Sequence, residues 1–263
     1  FHGVDLSEKM TSEELKAVQG WVDLFLCRSK SLAASLCDRG IDPSMIRLNY
    51  TGVPVPAKSH RPCKGGPLRL LQACRFLAKK GLDTTLGAVA VLRREGYDVR
   101  LTLAGDGPEM PVLTELVSSL GLRGTVNFTG FLEPEELSRL YIEHDLFLHP
   151  SRTTAEGDRE GIPNALLEAM AHGLPVVSTR HSGIPEAVTH GMTGWLIDHS
   201  DPGELARAIR ALADSVEERG RLGSEARKMV IERFSSGACV RALESHYDEA
   251  REISMERHES ALP

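Results

Sequence analysis

The stretches LRLLQAC (68–74), LDTTLGAVAVLRR (82–94) and VRLTLA (99–104) decide the fold class. Two short apolar runs with a longer amphipathic stretch between them are the pattern of a β-α-β unit, in which parallel strands are joined through a helix. The alternation continues outward. Residues 110–120 predict a helix, 126–129 a strand, 135–143 a helix and 146–148 a strand. Then 164–171 reads as a helix, and 176–178 and 195–197 as strands. Asp201-Pro202 caps and starts a further helix, proline being tolerated in a first turn. The chain is helical from there on, ending in a long charged helix beyond Ser236. The expected fold class is α/β with a parallel sheet.

Upstream, residues 24–27 precede a helix-like stretch at 29–39, and 46–50 follows as a strand. Three closely spaced prolines, a glycine pair and a fourth proline then occupy 54–67, which can continue neither kind of element and reads as an interdomain linker. The expected organisation is therefore 1–53, the linker 54–67, a domain over 68–235 and a C-terminal helix over 236–263. The chain opens at Phe1-His2-Gly3-Val4-Asp5 without a methionine, and a missing N-terminal part is expected.

The 263 residues include 31 Lys+Arg against 37 Asp+Glu, a formal net charge of -6, with 41% hydrophobic and 26% charged residues. That is ordinary globular composition. The mild acidity argues against nucleic acid as a partner, which draws on clustered Lys/Arg. No apolar run approaches the roughly 20 residues that span a bilayer. Five scattered cysteines (Cys27, Cys37, Cys63, Cys74, Cys239) without a C-x-x-C pair fit reduced thiols and a cytoplasmic protein.

The strongest local signal is EGIPNALLEAMAHGLP at 160–175. Pro163 stands where a helix starts, and Gly173 with Pro175 where it stops. Glu160 then lies in the loop before the helix and Glu168 in its second turn. The amides of Gly161 to Asn164 are donors at the positive helix end, suited to an anion, while carboxylates suit sugar hydroxyls. An ordinary helix with a glutamate at each end has the same spacing. Arg75 and Lys80-Gly81 follow the first strand, where strand ends of open parallel sheets face a ligand crevice. A fork donor beside a point charge suits a diphosphate, and a solvated basic loop is the plainer reading. Gly105-Asp106-Gly107-Pro108 does not complete a dinucleotide fingerprint and reads as a tight turn. A P-loop, H-E-x-x-H and D-x-D are all missing, so no metal is expected to bridge a diphosphate.

In this order the motifs resemble the retaining GT-B glycosyltransferases of family 4, the large family that includes exopolysaccharide sugar transferases. R-x(4)-K-G at Arg75 to Gly81 is followed by AGDGPE at 104–109, FTGFL at 128–132, HPS at 149–151 and E-x(7)-E at Glu160 and Glu168. GLPVVS at 173–178, GIPE at 183–186 and TGWL at 193–196 complete the series. The stretches 156–163 and 181–186 look especially like colanic-acid-type enzymes.

The resemblance implies a Rossmann-like donor domain preceded by the end of a Rossmann-like acceptor domain, whose last helix crosses back onto the N-terminal side. It implies transfer of a sugar from a UDP- or GDP-linked donor to a saccharide or lipid-linked acceptor, with anomeric retention and no cofactor or metal. Arg75 and Lys80 would bind the diphosphate and stabilise its departure, and Glu168 the ribose. Glu160 would hold the donor sugar, with Gly161, Ile162, Pro163 and Asn164 offering backbone contacts. Gly130, Phe131 and Leu132 would lie along the base, and His2 would approach the sugar, making Glu160, Arg75, Lys80 and His2 the catalytic candidates. Peripheral association with the inner face of the cytoplasmic membrane would run through the missing part. A GT-B epimerase or phosphorylase, or a non-catalytic nucleotide-sugar-binding module, are the rival expectations.

Overall fold

The structure, a computed structural model, describes residues 10–60 and 65–260. They form two compact units, one of residues up to Val53 together with those from Glu232, the other Pro54–Ile231.

The smaller unit begins with helix α1 (Ser12–Gln19), closed at its start by a reciprocal capping box between Thr11 and Glu14. Strand β1 (Phe25–Cys27) leads through α2 (Lys30–Asp38, capped by Ser29) to β2 (Ile46–Leu48), which pairs with β1 in parallel. Leu15, Phe25, Leu36 and Ile41 close a small core. The last helix, α10 (Ser236–Ser260), belongs to the same unit. Arg47 grips Glu249 through Nε at 2.9 Å, and Arg257 reaches Asp23 at 3.0 Å.

In the larger unit six parallel strands run in the order β5-β4-β3-β6-β7-β8. They are β3 (Leu68–Ala73), β4 (Val99–Ala104), β5 (Val126–Gly130), β6 (Leu146–His149), β7 (Val176–Thr179) and β8 (Trp195–Ile197). Every residue of β6 and β7 is buried, as strands covered on both faces require, which is why they read as apolar runs rather than alternating patterns. The connecting helices are α3 (Leu82–Arg94), α4 (Met110–Ser119), α5 (Pro134–Glu143), α6 (Asn164–Ala171) and the single turn α7 (Ile184–Ala187). Then come α8 (Pro202–Ala213) and α9 (Val216–Met229). Leu86, Val89, Leu113, Val117, Leu205 and Ile209 of α3, α4 and α8 pack with Leu70, Leu101, Leu146 and Leu148 of the strands. Phe147, between Leu146 and Leu148 on β6 and so turned to the opposite face, meets the ring of Tyr141 from α5 at 5.9 Å.

The proline-rich segment expected as a linker is bound to the larger unit at its start. The Pro56 carbonyl accepts from Arg227 at 2.6 Å, and buried His60 donates its backbone N–H to the His172 carbonyl at 2.6 Å. The change of unit comes at Val53/Pro54 and again at Ile231/Glu232.

The larger unit buries four imidazoles. His60 reaches the Ile142 carbonyl, His144 bridges the Leu140 carbonyl and Thr102, His172 bridges the Glu168 carbonyl and Ser138, and His149 ends β6. Burial lowers the pKa of all four below the usual 6.5. They stay neutral in the folded chain while the unfolded chain takes up protons as pH falls through about 6.5. Their contribution is therefore intact above that value and lost below it. Thermal scans from pH 7.5 to 5.5 should show the melting temperature falling with pH, and a level melting temperature would contradict this account of the core.

Candidate functional site

The sheet order reverses between β3 and β6: β3 leads to β4 on one side, β6 to β7 on the other. Ligands of open α/β sheets bind beyond the carboxyl ends of the strands at such a switch point. The two loops emerging there carry Lys80 and Glu160.

The loop after β3 is held by a buried amide. Gln72, wholly buried, donates from Nε2 to the Lys80 carbonyl at 2.8 Å, and Thr85 Oγ1 donates to Gln72 Oε1 at 2.6 Å. Gly81 then turns the chain from a 3-10 turn (Ala78–Lys80) into α3 at φ 65°, and a Cβ there would lie 2.1 Å from the Pro150 carbonyl oxygen. The two loops therefore meet backbone to backbone, with room for no side chain between them.

Lys80 and Glu160 form an ion pair whose side chains are only 14% and 9% exposed. The Glu160 N–H donates to Nε2 of His181 at 3.3 Å, which puts the imidazole proton on Nδ1, and burial lowers the His181 pKa. Lys79 bonds Asp158 at 2.8 Å, Arg152 bonds Asp83 at 2.8 Å, and the Arg152 N–H donates to the Lys79 carbonyl. The second loop is thus tied to the first by one further ion pair and a backbone bond, and to the first turn of α3 by another ion pair.

Helix α6 begins after Pro163 and ends at Ala171, with Gly173 left-handed just beyond it. Asn164 and Ala165 sit in its first turn, whose amides have no acceptor within the helix. Glu168 accepts a hydrogen bond from Tyr141 Oη at 3.0 Å. Burial, joined by the charge of Glu168, raises the Tyr141 pKa well above its usual value, so the phenol remains a donor. The Tyr141 ring lies 4.9 Å from that of His172, which spans from the Glu168 carbonyl to Ser138 on α5.

Behind these groups, His149 is fully buried, its ring stacked on Phe147 at 6.0 Å, and neither ring nitrogen has a hydrogen-bond partner among the described residues. The Cys74 thiol is pushed up to about 12 by burial. At the β5 edge, Gly130 accepts from Gly105 N–H at 2.9 Å, and Phe131 is 80% exposed. Among the described residues no three His, Cys, Asp or Glu side chains gather as metal ligands.

The structure thus brings Lys80 and Glu160 into contact, whereas Glu168 is engaged by Tyr141. Arg75 is exposed on the loop after β3, Gly161 and Asn164 are exposed, Ile162 is half-buried and Pro163 buried. Gly130, Phe131 and Leu132 lie at the end of β5, two strands from β3. His2 lies outside the described residues. Sequence reasoning missed Gln72, Thr85, Tyr141 and His181. Only Gln72 carried a signal, a polar amide between Leu71 and Ala73.

The chain belongs to the Glycosyl transferases group 1 family, which matches residues 58–229, and its α/β architecture is GT-B. It is 35% identical over 255 residues to the putative colanic acid biosynthesis glycosyltransferase WcaL of Salmonella typhimurium, covering 93% of this chain and 62% of that protein. It is 35% identical over 250 residues to the amylovoran biosynthesis glycosyltransferase AmsK of Erwinia amylovora, covering 92% and 61%. The chain therefore spans about three fifths of the length of these curated relatives. The crystal structure of HepE from Anabaena in complex with UDP and glucose superimposes with a TM-score of 0.78 at 21% identity, covering 95% of this chain and 69% of that one.

The glycines test the packing of the two loops. Gly81→Ala should cost at least about 2 kcal/mol, combining a strained backbone with a clash. A Cβ on Gly161 meets nothing within 4 Å, so Gly161→Ala should change stability by less than about 0.5 kcal/mol. Denaturant unfolding of the two variants checks both figures, and equal losses would mean that the loops do not meet as described.

Proposed function

We propose that this chain is the nucleotide-sugar-binding part of a metal-independent, retaining glycosyltransferase of exopolysaccharide synthesis, acting in the cytoplasm on a saccharide or lipid-linked acceptor. The observation that carries the reading is the placement of a lysine, two glutamates and a helix N-terminus around the switch point of the sheet. Both WcaL and AmsK are named for polysaccharide biosynthesis, which supports the pathway class. None of the helices among the described residues is long and apolar enough to cross a membrane.

In this reading Arg75 and Lys80 bind the diphosphate of a UDP- or GDP-linked sugar, and the open amides at the start of α6 add partial positive charge. Exposed Phe131 and its neighbours flank the base, and Glu168 accepts from the ribose hydroxyls. As the bond from the anomeric carbon to the diphosphate breaks, negative charge grows on the leaving group. Fixed cations and amides stabilise that charge without reorganising. The acceptor hydroxyl forms the new glycosidic bond as its proton passes to the oxygen of the departing diphosphate. Lys80 is paired with Glu160 in this structure, so the diphosphate takes over a cation already desolvated and aimed, while Glu160 turns to hydroxyls of the donor sugar.

Calorimetry with UDP and GDP tests the cations. Arg75→Ala and Lys80→Ala should each weaken the better nucleotide by about 10-fold to 100-fold, the worth of a charge-assisted hydrogen bond, and EDTA should change nothing. Unchanged affinity in both variants, or loss on chelation restored by Mg²⁺, would remove the diphosphate site.

The two carboxylates separate by ligand. Glu168→Ala should weaken nucleoside diphosphate and nucleotide sugar alike, as loss of uniform binding does. Glu160→Ala should weaken only the intact nucleotide sugar. Equal losses for both ligands in both variants would end the assignment of Glu160 to the sugar.

A further inference from the structure

Glu168 is not free to choose its orientation. Tyr141 donates to its Oε2 at 3.0 Å from a ring that is 1% exposed. That ring is fixed on two sides, edge-on to Phe147 of β6 at 5.9 Å and tilted against His172 at 4.9 Å. The phenol oxygen therefore sits at a defined point, and the carboxylate it holds has one lone pair of Oε2 occupied and that oxygen anchored. A second bond lies nearby: Ser138 Oγ donates to Nε2 of His172 at 2.7 Å, the Nδ1–H of that neutral ring being given to the Glu168 carbonyl. Ser138 lies one turn before Tyr141 on α5, so the two helices are joined by two neighbouring bonds of different consequence. One fixes the helix end through His172, and the other fixes the functional carboxylate itself.

We propose that Tyr141 is a positioning residue for ribose recognition: by hydrogen bonding Oε2 it holds the Glu168 carboxylate in the orientation that accepts both hydroxyls of a ribose diol. This rests on the assignment of Glu168 to the ribose made above. A carboxylate accepts two vicinal hydroxyls well only when its plane faces them, and a glutamate loses that preference when its terminal torsion is free. The selectivity for a ribonucleotide over a deoxyribonucleotide therefore depends on a phenol that never touches the ligand.

The test is calorimetry on this chain with UDP or GDP, whichever binds the wild type more tightly, against its 2′,3′-dideoxy counterpart. Tyr141→Phe keeps the ring and its contacts with Phe147 and His172 and removes only the hydroxyl. Melting temperatures confirm that each variant is folded. The wild type should lose about tenfold or more in affinity when both hydroxyls are removed. Tyr141→Phe should weaken the ribonucleotide by several-fold, leave the dideoxy ligand nearly unaffected and so compress the penalty to about threefold or less. Ser138→Ala, which loosens the same pair of helices without touching the Glu168 carboxylate, should keep the full wild-type penalty. Equal weakening of both ligands by Tyr141→Phe would show a merely structural tyrosine and overturn the proposal. A Ser138→Ala variant that compresses the penalty as much as Tyr141→Phe would overturn it too. A wild type that shows no penalty would remove the ribose assignment of Glu168 itself, a different failure from a penalty that Tyr141→Phe leaves intact.

Discussion

The parallel pairing of β3 with β6 is the constraint on which the site depends. Leu70 and Leu71 stand opposite Leu146 and Phe147, in the middle of a sheet whose strand order turns back on itself at that seam. Two unrelated loops are thereby delivered to one place, and the glycine at position 81 lets them touch. Moving either strand by one residue would invert every side chain on it, exchanging Leu70 and Leu146 for their neighbours. The core would resist that shift, so the site inherits its precision from the packing beneath it.

Above the seam, Lys80 and Glu160 form a buried ion pair, and in the proposed function that pair works for binding rather than for stability. Bringing two charges out of water costs several kcal/mol each, and the pair gives back about as much only when its geometry is good. An anion arriving at such a lysine meets a cation whose desolvation has already been met by the fold. The glutamate left behind then needs new donors, which the hydroxyls of a sugar can supply. In the proposed function, ligand and protein would exchange partners inside a site that never has to hold a bare charge.

Much of this was legible in the sequence, and the exceptions are instructive. The helix 164–171 was marked at both ends, by Pro163 before it and Gly173 after it, and its observed bounds agree residue for residue. Strands β6 and β7 stood out because strands buried on both faces are continuous apolar runs, and the others by the helices between them. Helix α1 was not read, because only Leu15 is buried in it and its start is signalled by the short capping pattern of Thr11 and Glu14. Lys80 and Glu160 were each assigned to a ligand, but nothing in a linear chain says that residues 80 apart pair with each other. Tyr141 and Glu168 are similarly joined by the packing of α5 on α6, and a tyrosine within an amphipathic helix looks like any other core aromatic. Spacing within one element is visible in a sequence; register between elements is a property of the packed sheet.

The Cys74 thiol, at the end of β3 and held protonated until about pH 12, has a consequence for chemistry done on the chain. Thiolate rather than thiol attacks maleimides, iodoacetamide and disulfides, so at neutral pH the sulfur at the floor of the crevice is a spectator. Cys27, pushed up to about 11 by burial in the smaller unit, is equally inert. A probe-bearing cysteine placed on an exposed loop can therefore be labelled with Cys27 and Cys74 left in position, provided that Cys37, Cys63 and Cys239 are first replaced.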